Sequence, residues 1–159
     1  MKLPLSLIKI NRFDNFSEFV HASSPRYFKN QLGKIEQYDF KKKDDLQKYN
    51  TNIIQFMKTA QIEKKIPYLL NQVHSDQVFV LRDVSQTQEQ IARVKADAII
   101  THLSNIPIGV FTADCIPILI CDPRLQVAAA IHAGRKGTCQ SIVNKTIMTM
   151  KREYGCHPE

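Results

Sequence analysis

The chain has 159 residues, of which 43% are hydrophobic and 23% are charged, as in an ordinary soluble globular protein. This length suits one domain with a real core. Lys and Arg number 22 against 15 Asp and Glu, and the resulting net charge of +7 fits an anionic ligand such as phosphate, or a nucleic acid. The densest basic run, "KKK" at 41–43, is followed at once by Asp44 and Asp45. We therefore interpret the excess charge as solvated surface and expect no nucleic-acid partner.

The sequence also restricts where the protein works. We expect no signal peptide at its N-terminus. Its longest apolar stretch, 106–121, is too short to span a membrane and contains two prolines. There are four cysteines without a CxxC pair, namely Cys115, Cys121, Cys139 and Cys156. This pattern favours a reducing, cytoplasmic setting with no membrane partner.

The N-terminal part of the chain is weakly patterned. Residues 6–13 are consistent with an edge strand, and residues 21–33 with a loop because of their Ser, Pro, Asn and Gly. Apolar residues at near-helical spacing predict a helix over 44–60, with Asp44 and Asp45 in its first turn.

The rest of the chain is rich in short apolar runs. Six of them predict strands, at 68–73, 77–83, 96–102, 106–112, 116–122 and 125–133. A short helix or turn is expected at 87–94, and a helix at 138–154 with Thr138 as its N-cap. Several strands are apolar on both faces and should be central in a sheet covered on both sides. The fold class is therefore α/β.

Three potential metal ligands fall at predicted strand ends, where side chains from separate strands can converge: His74, Cys115 and His132. Zinc accepts such a set, and three protein ligands with an open fourth position is its catalytic arrangement. The separations of 41 and 17 residues match no short zinc-finger pattern, so from these residues alone separate histidines and a buried thiol are the default interpretation.

A second chemistry uses the same residues. Cys115 and His132 can form a thiolate nucleophile and its base, oriented by Asp114 or Asp97. Asp114 lies beside Cys115 in the apolar stretch "FTADCIPILICDP", and an unpaired acid buried there would need a compensating charge nearby.

The segment "HAGRKGT" has the features of an anion site. Gly134 and Gly137 allow close backbone approach, Arg135 and Lys136 are positively charged, and a helix is predicted to follow. A tight strand-to-helix turn explains the glycines equally well, and the two interpretations are compatible.

Four motifs in order, "NQVHSD", "ADAIIT", "TADCIPILICDP" and "AAIHAGRKGT", resemble the YfiH-type family, also called the multicopper polyphenol oxidoreductase, laccase-domain or peptidoglycan-editing-factor family. The resemblance implies a layered αββα fold with mixed sheets covered by helices. It implies a zinc-dependent purine nucleoside phosphorylase that cleaves adenosine, inosine or methylthioadenosine with phosphate and also deaminates adenosine. The family's zinc ligands fall on His74, Cys115 and His132, with Asp114 as a neighbour that supports the metal site. Copper is a competing metal, since Cu(II) generally binds such ligands more tightly than zinc.

The chain departs from this family in three ways. The usual "HAGWRG" reads "HAGRKG", so that Arg135 replaces an aromatic residue and Lys136 an arginine. The N-terminal "TRxGG" signature is not recognisable. Family members are also longer, so we expect residues 1–159 to be a single domain that lacks the usual C-terminal segment.

Two other functions are left open. The Cys/His pair allows a thiol hydrolase that edits cell-wall precursors, and the shortness of the chain allows an inactive remnant that binds zinc or a partner. This shortness also suggests a homo-oligomer, or a second chain that supplies the missing segment.

Overall fold

The computed structural model describes residues 19–29, 32, 34–40, 46–62 and 66–158. The chain separates into two compact units, 1–66 and 67–159. The single-domain organisation stays a prediction. Among the residues described, no helix combines the length and the apolar character that crossing a membrane requires.

The described part of the first unit has two short strands and one helix. Strands β1 (Tyr27–Lys29) and β2 (Ile35–Gln37) pair antiparallel, and helix α1 spans Leu46–Thr59. The helix confirms the prediction for 44–60 over its described part, whereas the predicted loop at 21–33 is wrong where β1 forms. The ring of Phe28 in β1 stacks on Tyr38 with centroids 4.2 Å apart, which ties this segment down. The strand predicted at 6–13 lies outside the described residues.

The second unit is built on a four-stranded mixed sheet. Its strands are β4 (Val78–Leu81), β5 (Ala98–Thr101), β7 (Ile116–Asp122) and β8 (Val127–Ala133), and they lie in the order β4-β5-β8-β7. β4 and β5 are parallel, and β8 is antiparallel to both β5 and β7. A smaller parallel sheet pairs β3 (Tyr68–Leu69) with β6 (Ile108–Gly109). The predicted strands at 68–73 and 106–112 are therefore much shorter than expected.

Layers on both faces bury the centre of the four-stranded sheet. On one face, Ile99 packs in a cluster with Tyr68 of β3 and with Ile91 of helix α2 (Gln88–Ile91). On the other face, Ala98 packs with Ile142 and Ile100 with Met150, both from helix α4 (Ile142–Tyr154). This confirms a layered mixed α/β fold.

Two further sequence predictions need correction. Several of the apolar strands are predicted to be central, but β7, one of these apolar runs, lies at the edge of the described sheet, and its first residue, Ile116, is 62% exposed. The helix expected over 138–154 is two helices, α3 (Arg135–Cys139) and α4. Thr138 is not the N-cap, because its amide already donates to the carbonyl of Gly134 within α3, and Ser141 breaks the helix with a φ of 60°.

Candidate metal centre

The three predicted ligands come together in space. His132 lies near the end of β8, Cys115 immediately precedes β7, and His74 lies in the loop between β3 and β4. One potential ligand atom from each lies within 4.8 Å of those of the other two. The antiparallel register pairs Ile116 with Ala133, so the next step of the ladder places Cys115 beside Gly134. The sheet thereby brings Cys115 to the end of β8.

His132 and His74 occupy different surroundings. His132 is buried, with 3% of its surface exposed, whereas His74 is exposed. Their rings meet nearly at right angles, with centroids 4.8 Å apart. His74 has a φ of 59°, in the left-handed region that side chains other than glycine seldom occupy. Such a conformation persists where neighbouring groups hold it.

Asp97 holds His74 in this left-handed conformation. Asp97 is fully buried and lies immediately before β5. Its Oδ1 accepts the amide of His74 at 3.0 Å and lies 2.8 Å from Nδ1 of His132. Its Oδ2 accepts the amides of Val73 at 3.2 Å and Ser75 at 2.7 Å, and the hydroxyl of Ser75 at 2.7 Å. Burial acts to raise the pKa of Asp97, but the bonds from His132, Ser75 and Val73 outweigh it and hold that pKa below its ordinary value.

An ionised carboxylate only accepts hydrogen bonds, so Nδ1 of His132 is the donor in this pair. In the neutral imidazole, that assignment leaves Nε2 of His132 with its lone pair available to a metal.

The side chain of Gln72 holds the segment that leads to Cys115. Its Nε2 donates to the main-chain carbonyl of Phe111 at 2.7 Å, and its Oε1 accepts the main-chain amide of Phe111 at 2.8 Å. A side chain thus takes the place of a strand partner for the segment that leads to Cys115.

Gly134 lies against all three candidate ligands. A Cβ atom at this position would lie 3.0 Å from Cδ2 of His74, 3.2 Å from Sγ of Cys115 and 3.6 Å from Cε1 of His132. The absence of a side chain therefore lets the three residues converge.

The remaining predicted residues surround this point. Arg135 and Lys136 are exposed in the first turn of α3. Gly137 is buried, and a Cβ there would lie 2.6 Å from the carbonyl oxygen of Ser75, so close packing already requires this glycine. Asp114 is exposed in the bend before β7. The expectation of a buried acid at that position is wrong, because the bend turns its carboxylate to the surface.

The donor set suits a metal ion. Two imidazoles and a thiolate are the ligands that zinc and other borderline or soft metals prefer. Ligands about 2.0–2.3 Å from a tetrahedral zinc lie about 3.5 Å from one another. The observed spread of up to 4.8 Å is wider than that value, so a ligand must move inward to bind the metal, and the exposed His74 is the ligand with room to do so.

A sequence model described as "Multi-copper polyphenol oxidoreductase laccase" matches residues 23–159. The chain belongs to this family. Its structure is similar to that of YlmD from Geobacillus stearothermophilus, with a TM-score of 0.62 and 19% identity over 73% of this chain and 45% of that one. The YfiH structure from Bacillus licheniformis gives a TM-score of 0.62 and 22% identity over 75% and 46%. These similarities confirm the predicted fold.

Several proteins similar in sequence to this chain are named purine nucleoside phosphorylase. The one from Clostridium acetobutylicum is 43% identical over 57% of this chain and 36% of its own length. The one from Aquifex aeolicus is 37% identical over 64% and 45%. The chain thus spans less than half the length of these relatives.

Sequence analysis found the three ligand positions but not the polar groups that arrange them. The sequence suggests Asp97 only as one possible orienting acid of a Cys/His pair, and it predicts no role for Gln72 or Ser75. A signal for Asp97 does exist in "ADAIIT", where an acid opens an otherwise apolar strand. Such an acid is buried with the strand and needs several donors.

Proposed function

We propose that this chain carries the zinc centre of a purine nucleoside phosphorylase, with His74, Cys115 and His132 as the metal ligands. The observation that supports it is the convergence of these three side chains at the end of β8. The relatives named purine nucleoside phosphorylase support the reaction class. The substrates would be phosphate and a purine nucleoside, either adenosine, inosine or methylthioadenosine, with deamination of adenosine as a further activity.

The proposed ligands have different roles at the metal. Zinc, when bound, supplies Lewis acidity at neutral pH. Cys115 provides the negative charge of a thiolate, and His132 provides its Nε2 lone pair because Nδ1 is engaged by Asp97. Copper competes for the same ligands, but the single His–Cys–His cluster among the described residues does not supply the several coupled coppers of a laccase.

Phosphate would bind beside the metal. Arg135 and Lys136 are exposed in the turn that follows Gly134, within reach of solvent and of an anionic ligand. Lys gives a point charge rather than a bidentate contact, so Lys136 would attract phosphate without orienting it strictly. Asp114, also exposed, would face the same solvent-open side next to Cys115. Replacing Lys136 by Ala should raise the phosphate concentration needed for turnover more than it weakens zinc binding, and an equal loss of both would contradict this assignment.

The first experiment is the metal content of the purified chain beside its Cys115→Ala variant, with Cys121→Ala as the matched thiol control. Cys121 lies six residues along β7 from Cys115, about 20 Å away in an extended strand. We expect about one zinc per chain in the wild type and in Cys121→Ala, and none in Cys115→Ala. Phosphate-dependent release of the purine base, lost only in Cys115→Ala, would establish the phosphorylase. Bound zinc without turnover would favour a metal-binding remnant that depends on a second copy or another chain.

A second candidate function, a thiol hydrolase of the kind that edits cell-wall precursors, is favoured by one observation. Asp97, His132 and Cys115 follow one another in the order orienting acid, base and nucleophile, with 2.8 Å between the first two. In this function Cys115 would be free of metal.

Iodoacetamide labelling of zinc-replete protein separates the two functions, because the other thiols provide references. Cys139 is exposed and should react first. Cys156 is buried, burial raises the pKa of its thiol to about 11, and it should react last. A zinc-bound Cys115 should react nearly as slowly as Cys156, whereas labelling ahead of Cys139 would favour the hydrolase. All four thiols are free, and we propose a reducing, cytoplasmic location for the protein.

A further inference from the structure

The two histidines of the candidate metal centre share one carboxylate. Asp97 reaches His132 through the ring, at Nδ1, and reaches His74 through the main chain, at the amides of Val73, His74 and Ser75. One buried side chain therefore touches both the strand and the loop that form the site.

We propose that Asp97 is a positioning residue that orients His74 and His132 together toward a metal, and that it does so before the metal binds. The inference rests on the proposed metal centre, but it concerns the order already present in the protein alone.

The first half of the proposal concerns the ring of His132. A carboxylate at 2.8 Å from Nδ1 keeps the proton on that nitrogen, so that Nε2 is the free ligand atom. Carboxylate bonds of this kind fix the tautomer and the ring direction of metal-binding histidines. With zinc and one thiolate in place, one positive charge remains, and the Asp97 carboxylate lies where it would balance that charge.

The second half concerns the main chain of His74. Three successive amides, from Val73 to Ser75, point at one carboxylate, while His74 holds a φ of 59°. A left-handed residue flanked by amides that converge on an anion forms a concave anion nest. Here the anion is part of the protein. It therefore stabilises the loop conformation that directs His74 toward His132.

An asparagine at position 97 keeps the size of the side chain but cannot satisfy these donors. If its NH₂ takes the place of Oδ1, the bonds from His74 and His132 are lost. If it takes the place of Oδ2, the bonds from Val73 and Ser75 are lost. In the first orientation both histidines lose their bond to residue 97, and in the second the amides on either side of His74 lose theirs, so a donor faces donors in both.

Thr101 provides the matched control. It lies on β5 four residues after Asp97, is 3% exposed, and makes two hydrogen bonds, to the carbonyl of Leu81 and from the amide of Leu103. Thr101→Val also removes buried hydrogen bonds from this strand, but it touches none of the three ligands.

The test compares zinc affinity, measured by competition with a chromogenic chelator, in wild type, Asp97→Asn and Thr101→Val. We expect Asp97→Asn to bind zinc about 10- to 100-fold more weakly and Thr101→Val to stay within about twofold of wild type. Cobalt substituted for zinc should show an altered visible spectrum only in Asp97→Asn. Equal zinc affinity and an unchanged cobalt spectrum in Asp97→Asn would overturn the proposal. A wild type that binds no zinc would instead refute the metal centre itself.

Two measurements on the metal-free protein keep the proposal testable if Asp97→Asn folds poorly. Nitrogen-15 NMR of the wild type should find His132 protonated on Nδ1 and not on Nε2; the opposite tautomer would overturn the first half. Amide exchange at residues 73–75 should be slow in wild type and Thr101→Val, although the loop is partly exposed. Exchange at those amides as fast as in an unprotected loop would overturn the second half.

Discussion

The end of β8 and the loop between β3 and β4 each direct an imidazole to the candidate metal centre, but one backbone is a regular strand and the other an irregular loop. His132 is buried in a strand that is paired on both sides, to β5 and to β7. His74 is exposed and lies in a left-handed conformation outside any strand. The comparison indicates a site with one fixed side, the buried His132, and one adjustable side, the exposed His74 ring on a loop whose main chain Asp97 holds. Mutations on the fixed side should therefore affect folding and metal binding, and those on the loop chiefly metal binding.

The largest expected effect is a difference in the free energy of unfolding between His132→Ala and His74→Ala. His132→Ala leaves a cavity and removes a donor from a buried carboxylate, and should lower the free energy of unfolding by about 3 kcal/mol. His74→Ala removes an exposed side chain and should change it by less than about 1 kcal/mol. Both should abolish tight zinc binding. Urea denaturation of the metal-free proteins measures the first effect, and chelator competition the second.

His132→Asn is the control for this comparison. Its amide NH₂ can donate to Asp97 in place of Nδ1, so it should recover much of the stability lost in His132→Ala while still failing to bind zinc tightly. Equal unfolding free energies for the two alanine variants would remove the distinction between a fixed and an adjustable side.

Gly137→Ala should displace the loop that carries His74, because helix α3 packs against that loop at Gly137. The added Cβ would lie 2.6 Å from the main-chain oxygen of Ser75, which cannot rotate away as a side chain can. We expect a loss of about 1–2 kcal/mol of stability and weaker zinc binding, since Ser75 neighbours His74. Thr138→Ala, at an exposed position of the same helix, controls for the gain in helix propensity. A Gly137→Ala protein as stable as Thr138→Ala would mean that the loop yields freely.

Gly134→Ala should act on the metal site with little effect on the fold. Gly134 has a φ of −74° and a ψ of 165°, which alanine also adopts, so no backbone strain is expected. Its methyl group would press on His74 and Cys115 and should weaken zinc binding about tenfold, or about 1.4 kcal/mol. Gly109→Ala, whose Cβ would contact only the flexible Leu69 side chain, is the matched glycine control and should bind zinc normally. Unchanged affinity in Gly134→Ala would show that the site has spare room.

The sequence was most informative where local pattern decides the structure. Alternating or continuous apolar runs predicted β5, β7 and β8, and their ends predicted His132 and Cys115 as neighbours. The same runs could not distinguish a central strand from an edge strand, because β7 is as apolar as β8 while its partners lie on one side only within the described sheet. The helix break at Ser141 was missed because it depends on one left-handed residue rather than on hydrophobic spacing.

The polar framework of the site is a long-range property, which explains why it was harder to predict. Asp97 meets residues 22–35 positions away along the chain, and Gln72 meets Phe111 at a separation of 39. No local spacing encodes such pairs. What the sequence does show is a charge in an apolar strand, and physical chemistry requires that such a charge be satisfied.

The smallest expected effect tests the backbone strain at His74, which has a positive φ. His74→Gly removes the left-handed penalty of a side chain, and because His74 is exposed it loses little packing. The metal-free variant should be as stable as wild type or more stable by up to about 1 kcal/mol, although it cannot bind zinc tightly. Gln126→Gly is the matched control, since Gln126 also has a positive φ, of 53°, in the exposed turn between β7 and β8. It should gain similar stability and keep its zinc affinity. If Gln126→Gly is stabilised but His74→Gly loses more than about 1 kcal/mol, the His74 ring itself supports the fold, and the loop is as much a part of the fixed framework as β8.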